Sequence, residues 1–162
     1  MTDPRTTIEP LRHSPNPRPS FVSYVLVSAQ FACLIAILAT GPIIAHQWMT
    51  VLLEGLGISL GGWAVWTCSI RNLQVFPEVK PGARLITDGP YRWIRHPMYS
   101  ALLLVTLALI LDEWSWWRAG WWLALAMILL VKLAYEEQAL RETFPEYAAY
   151  QRRTFRLIPF IY

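Results

Sequence analysis

Charge and cysteine are both scarce in this chain, and each shortage narrows what the protein can be. Charged residues make up 15% of the 162 positions and hydrophobic residues 55%, a balance too apolar for an ordinary soluble domain of this length. The net charge of +3 would suit a nucleic-acid partner only if the basic residues gathered on one exposed face. They lie instead between apolar runs, so no nucleic-acid partner is expected. The two cysteines, Cys33 and Cys68, fall inside apolar stretches without the C-x-x-C or Cys/His spacing of a zinc or redox site. They are expected to be packing residues, with no metal bound. The only Gly-x-Gly run, Gly55 and Gly57, also sits in an apolar stretch, which leaves no Rossmann phosphate loop. There is no internal repeat and no low-complexity tract.

What the chain does have is long uncharged runs. Residues 21–45 carry no formal charge, and a helix of ~20 such residues spans a hydrocarbon core of about 30 Å. Gly41, Pro42, His46 and Gln47 break this run, and a second, 48–70, has Glu54 as its only formal charge. Glu54 is expected near the membrane interface, with a polar cavity as the alternative. Gly57 and Gly61 form a small-x-x-x-small pair suited to close helix packing, within the chain or between copies. The third run, 99–111, covers roughly 20 Å as a helix, short for a full span unless Pro97 and its neighbours extend it. Trp114, Trp116, Trp117, Trp121 and Trp122 follow, as expected of an interfacial belt in preference to a cage for a cation. The fourth run, 119–135, is apolar apart from Lys132 and then becomes strongly charged, so its helix is expected to project from the bilayer.

These runs predict an all-α integral membrane protein of about four transmembrane helices. Residues 1–20 read as a cytoplasmic tail and 21–162 as a single membrane domain, its catalytic half beginning near residue 76. The first apolar run is too long for a signal-peptide core, so no cleavage is expected. Arg5, Arg12 and Arg18 precede the first span, basic residues from 71 to 95 separate the second from the third, and others from 141 to 156 follow the fourth. The remaining two turns hold only Arg118. The positive-inside rule then puts both termini and the long middle loop in the cytoplasm, with a bacterial inner membrane as the expected location. Thr143, three residues before Glu146, suggests a capping box opening a short interfacial helix.

Chemistry is concentrated in two places. The middle loop, 71–98, contains Pro77, Pro81, Gly82, Gly89, Pro90 and Pro97, a composition of turns and extended chain suited to a rigid site. Its last part, GPYRWIRHPMY, packs Tyr91, Arg95, His96 and Tyr99 into one segment entering the third helix. Pro97 is suited to an early helical position, where its missing N–H is not needed. Backbone donors and Arg95 would then face an anion at the membrane edge. The alternative is an interfacial anchor, with Arg92 and Arg95 on lipid phosphates and Tyr91, Trp93 and Tyr99 at the headgroups. The second cluster is Lys132, Glu136 and Glu137, in which Lys132 and Glu136 share a helical face. A charged helix end emerging into water, with Glu137 and Arg141 as a solvated pair, is the alternative.

The order LITDGPYRWIRHPMY, EEQAL, FPEYAAY and RLIPFIY resembles the isoprenylcysteine carboxyl methyltransferase family and the related membrane phospholipid methyltransferases, over residues 83–162. The resemblance implies S-adenosylmethionine as cofactor, held by Ala83, Arg84, Leu85 and Ile86, by Gly89 and Tyr91, by His96, Pro97, Met98 and Tyr99, and by Glu136. It implies that Lys132, Glu136, Glu137 and Arg95 carry the chemistry, with Lys132 where members hold a basic residue for the acceptor's carboxylate. Lysine lacks a planar fork, so a bidentate grip is not implied. Ala101 and Pro145 stand where glycine is common in the family. The implied reaction is methyl transfer to a lipophilic or small-molecule acceptor, in contact with membrane lipids. An ionised carboxylate would need only positioning and desolvation, whereas an amine would need a base such as Glu136, Glu137 or His96. Two other readings compete: a nicotinamide-dependent membrane lipid reductase, and a non-catalytic subunit whose basic loop binds lipid headgroups. Oligomeric state is left open.

Overall fold

The computed structural model describes residues 20–72 and 85–159. Residues 1–19, residues 73–84 with Ala83 and Arg84, and residues 160–162 lie outside the described residues. The described chain forms α1 (Phe21–Ala39), α2 (Trp48–Asn72), a 3-10 turn (Gly89–Arg92), α3 (Pro97–Asp112), α4 (Trp116–Thr143) and the short α5 (Tyr147–Gln151). The protein is an all-α membrane protein. α1, α2 and α4 are each long and apolar enough to cross a bilayer. α3 gains Pro97 and Met98 at its start and Asp112 at its end, yet its 16 residues still reach only about 24 Å.

Polar side chains set the ends of these helices. Ser20 caps α1, its hydroxyl accepting from the Ser23 N–H at 3.1 Å. The break between α1 and α2 is held by two acids, one from α3 and one from α2 itself. Asp112, at the far end of α3, accepts from the backbone N–H groups of His46 (3.0 Å) and Gln47 (2.8 Å) and from the Thr50 hydroxyl. It acts as a borrowed cap for the positive end of α2. Glu54 is only 7% exposed and accepts from the Ala45 N–H at 2.9 Å, so it fastens the turn at the end of the span. Arg118 is buried, donates to the Glu113 carbonyl at 2.6 Å and packs on Gly41. A Cβ at Gly41 would fall 2.3 Å from the Arg118 guanidinium carbon. This cation beside the C-terminal end of α1 meets the negative end of the helix dipole.

α1 packs mainly on α4 and α2 on α3, with α3 and α4 joining the two pairs. Cys33, Ile37, Ile110, Leu125 and Leu129 form one core, flanked by Trp121 and Trp122. Those two indoles are therefore partly inside, while Trp114, Trp116 and Trp117 are exposed on the apolar surface, where a headgroup belt would lie. The glycine pair serves α2 and α3: a Cβ on Gly57 would lie 2.7 Å from the Val105 side chain and 3.0 Å from its backbone nitrogen, and one on Gly61 would lie 3.3 Å from Ala101.

The expected capping box does not form. Thr143 is the last residue of α4 and its hydroxyl donates back to the Ala139 carbonyl at 2.7 Å. Glu146 precedes α5 in a helical conformation with no side-chain cap. The physical reason is that α4 carries its hydrogen-bond ladder through Thr143, so the hydroxyl is already committed to its own helix.

Gly57→Ala should destabilise the protein by about 1–3 kcal/mol, because the neighbouring α3 backbone cannot retreat cheaply. Gly62→Ala, where an added Cβ meets nothing within 4 Å, should leave the protein unchanged or slightly more stable. Thermal unfolding of the two variants in the same detergent measures the difference.

Candidate active site

The site begins with a left-handed residue. Gly89 has φ +55°, and a Cβ there would fall 2.4 Å from the Thr67 hydroxyl of α2, so both conformation and space call for glycine. The 3-10 turn that follows buries Tyr91 against Ala64 and Cys68, with Ile86 and Met98 beside it. Burial pushes the Tyr91 phenol's pKa up, with smaller contributions from Cys68 and the Glu136 charge, and so keeps it protonated. Pro97 is buried in the first turn of α3, and His96 occupies the cap position before it.

The C-terminal segment then closes on this loop. Arg95 and His96 donate backbone N–H bonds to the carbonyls of Phe155 (2.8 Å) and Arg156 (3.1 Å), and Phe155 returns one to Trp93 at 2.9 Å. The Tyr150 hydroxyl donates to the Tyr91 carbonyl at 2.6 Å, and the Ser100 hydroxyl to the Leu157 carbonyl at 2.6 Å.

α4 contributes two adjacent carboxylates with different surroundings. The Glu137 side chain is 2% exposed, and Arg95 Nε reaches its Oε1 at 2.7 Å while Arg156 and Arg141 approach its Oε2 at 3.2 and 3.6 Å. The Gln151 amide also donates to Oε2 at 3.2 Å, and Arg95 Nη1 donates to the carbonyls of Gln151 and Thr154. Glu137 is thus the buried anchor of loop and C-terminal segment, not half of a solvated pair with Arg141. Glu136 keeps 33% of its side chain exposed and accepts from the Tyr99 hydroxyl at 3.0 Å. Lys132 lies one turn earlier, 1% exposed, its Nζ 5.6 Å above the Tyr99 ring and donating to Gln30 Oε1 of α1 at 2.6 Å.

His96 sits between the two acids, Nδ1 at 3.6 Å from Glu136 and Nε2 at 3.6 Å from Glu137, its ring stacked on Tyr99 at 5.6 Å. Burial opposes its charged form, but the two facing carboxylates, Glu136 and Glu137, outweigh that and raise its pKa above the ordinary value.

Of the residues singled out from sequence, Arg95, His96, Tyr99, Lys132, Glu136 and Glu137 therefore meet in one charged junction between α3 and α4. Ile86, Gly89, Tyr91 and Met98 form the adjoining wall against α2, with Leu85 half-buried just before it and Pro97 buried in the first turn of α3. Ala83 and Arg84 fall outside the described residues. Sequence reasoning missed Gln30, Tyr147, Tyr150, Gln151, Thr154 and Arg156 as partners of this site. A lone glutamine in an otherwise apolar first span was the signal available for Gln30. Among the described residues no group of three or more His, Cys, Asp and Glu is placed to hold a metal ion.

The profile of the phospholipid methyltransferase family matches residues 45–147, which hold both carboxylates and the whole Gly89 to Tyr99 wall. The chain belongs to the phospholipid methyltransferase family. Members are membrane methyltransferases that use S-adenosylmethionine, and the family falls within the isoprenylcysteine carboxyl methyltransferase-like group. The chain is also 32% identical over 116 residues to a cobalt-zinc-cadmium resistance protein of Cupriavidus metallidurans, covering 70% of this chain and 54% of that protein. It thus spans about half the length of that relative. A nickel-cobalt-cadmium resistance protein of Alcaligenes xylosoxydans xylosoxydans is 24% identical over 167 aligned positions, covering 94% of this chain and 73% of the relative.

The donor set fits the family's cofactor. Among the described residues, Tyr91 Oη, Tyr147 Oη and His96 Nε2 are buried polar atoms with no hydrogen-bond partner, an expensive arrangement unless a ligand or water completes it. Beside them stand a part-exposed carboxylate, Glu136, and the aromatic rings of Tyr91 and Tyr99. Such a mixture of polar atoms, negative charge and apolar wall is what an amino acid joined to a nucleoside requires.

Two outcomes follow. Glu137→Gln should cost about 3–5 kcal/mol, because it strands the buried Arg95 guanidinium, and it should loosen residues 151–157. Limited proteolysis that cleaves this segment faster than in the parent would register the loss. His96, with its raised folded pKa, contributes stability that is complete below its unfolded value of 6.5 and is lost as pH rises through the folded value. Unfolding temperature should therefore decline on that upward titration, and His96→Gln should flatten the decline.

Proposed function

We propose that this protein transfers a methyl group from S-adenosylmethionine to a lipophilic acceptor whose reacting group is an oxygen or sulfur anion, at the cytoplasmic face of a membrane. The observation that carries this reading is the junction of Lys132, Tyr99, Glu136 and His96, beside buried polar atoms that lack partners among the described residues. When bound, S-adenosylmethionine supplies an electrophilic methyl group on a sulfonium. The protein's part is then to hold two reactants in line and to exclude water.

In this reading Glu136 receives the cofactor's hydrogen-bond donors, Tyr91 and Tyr99 form an aromatic wall, and His96 lines the site between Tyr99 and Glu136. Leu85, Ile86, Gly89, Pro97 and Met98 shape the adjoining face. Arg95 and Glu137 fix the position of His96 from behind. Lys132 meets the acceptor's polar head. A protonated amine beside the Lys132 ammonium would be repelled, which favours an anionic acceptor. The basic residues flanking the spans support a cytoplasmic site.

S-adenosylhomocysteine should raise the unfolding temperature of the purified protein while NADPH leaves it unchanged, and Glu136→Gln should weaken S-adenosylhomocysteine binding at least tenfold, the loss of one charge-assisted hydrogen bond of about 1.5–3 kcal/mol. A selective response to NADPH would favour a reductase. Indifference to both, with salt-sensitive binding to anionic vesicles, would favour a non-catalytic lipid-binding subunit.

A further inference from the structure

Gln30 is the tenth residue of the 19-residue α1 and so lies at the middle of an otherwise apolar span. It is buried at 9% exposure and accepts from Lys132 Nζ at 2.6 Å. This bond joins α1, which lies outside the stretch matched by the family profile, to the charged junction of α3 and α4.

Lys132 behaves unusually for a lysine near the charged end of a membrane helix. Such side chains ordinarily extend toward the headgroups and keep the ammonium in water. Here the ammonium is withdrawn among the helices, over the Tyr99 ring and one turn from Glu136. Side chains on a helix lean toward its N-terminus, and for α4 that direction leads away from the charged end. Gln30 stands where a lysine leaning this way arrives.

The chemistry of the partner matters. A carboxylate at position 30 would cancel the ammonium's charge. The Gln30 amide oxygen accepts one N–H of the ammonium without adding a charge of its own, and the Tyr99 ring face adds attraction. An ionisable residue at this depth is costly, and it marks a functional site by default.

We infer that Gln30 is a positioning residue for the methyl acceptor: it holds the Lys132 ammonium inside the helix bundle, so that the polar head of a lipophilic acceptor is drawn below the headgroup level to the reacting centre. The inference rests on the methyl-transfer reading above. It makes α1 a determinant of which acceptors are used, though the cofactor contacts lie on the α2 to α4 side.

The test uses full-length protein in detergent, S-adenosylhomocysteine binding by calorimetry, and methyl transfer from labelled S-adenosylmethionine to a titrated membrane lipid extract. Gln30→Leu should bind S-adenosylhomocysteine within about twofold of the parent, yet need roughly tenfold more extract for half-maximal labelling. Lys132→Met should move the same quantity in the same direction. Adding Gln30→Leu to Lys132→Met should change it no further, because a residue acting only through its neighbour shows full coupling in a double-mutant cycle. The double variant strands no buried ammonium, so it supports the comparison even if Gln30→Leu alone does not fold. An unchanged half-saturating extract concentration in folded Gln30→Leu, an additive loss in the double variant, or a parallel loss of S-adenosylhomocysteine affinity would each overturn the inference and leave the methyl-transfer reading standing. A parent protein that binds S-adenosylhomocysteine but labels nothing in the extract would overturn both.

Discussion

The candidate site depends on one buried carboxylate. Glu137 collects Arg95, Arg141, Arg156 and the Gln151 amide around two oxygens while its side chain is 2% exposed. These groups come from the loop before α3, from α4 itself and from the C-terminal segment, so a single acid holds three parts of the chain in register. A buried ion pair is a poor source of net stability, since desolvation offsets much of the attraction. Its value here is geometric. With Arg95 fixed, residues 93–96 and 155–156 exchange backbone bonds, and His96 is presented to Glu136.

The two adjacent acids illustrate how one helix separates support from contact. Consecutive helical residues point about 100° apart, so Glu137 turns toward the arginines while Glu136 turns toward Tyr99 and keeps part of its surface open. Lys132 shares the Glu136 face. The other end of the bundle is tied separately, by Asp112 on the α2 N-terminus and by Arg118 against Gly41. Polar groups inside the apolar bundle thus fall into two layers. One closes the turns, and the other assembles the junction.

Much of the fold was legible because hydrocarbon thickness sets a length that uncharged runs must match. The spans of α1, α2 and α4 follow from that, and Pro97 marks the start of α3 for a local steric reason. The segment containing Tyr91, Arg95, His96 and Tyr99 stood out because polar and aromatic residues are dense there. What sequence could not supply was pairing across distance. Glu137 and Arg141 are four residues apart, which left a solvated pair open as the alternative to a site role, while the stronger partner of Glu137, Arg95, is 42 residues away. Gln30 and Lys132 are separated by 102. Glu54, ambiguous as an intramembrane acid, takes its role from the backbone of Ala45. The Thr143 and Glu146 spacing misled because helix continuation competes with capping for the same hydroxyl.

The central claim is that the wall at residues 89–99 and the α4 face at Lys132 and Glu136 enclose one cofactor. It is tested most directly by irradiating the purified protein with labelled S-adenosylmethionine and mapping the labelled peptides. Label within residues 85–99 and 132–150, displaced by unlabelled S-adenosylhomocysteine, is the predicted result. Displaceable label confined to the opposite end of the bundle, around Asp112 and Trp116, or no displaceable label in folded protein, would contradict it.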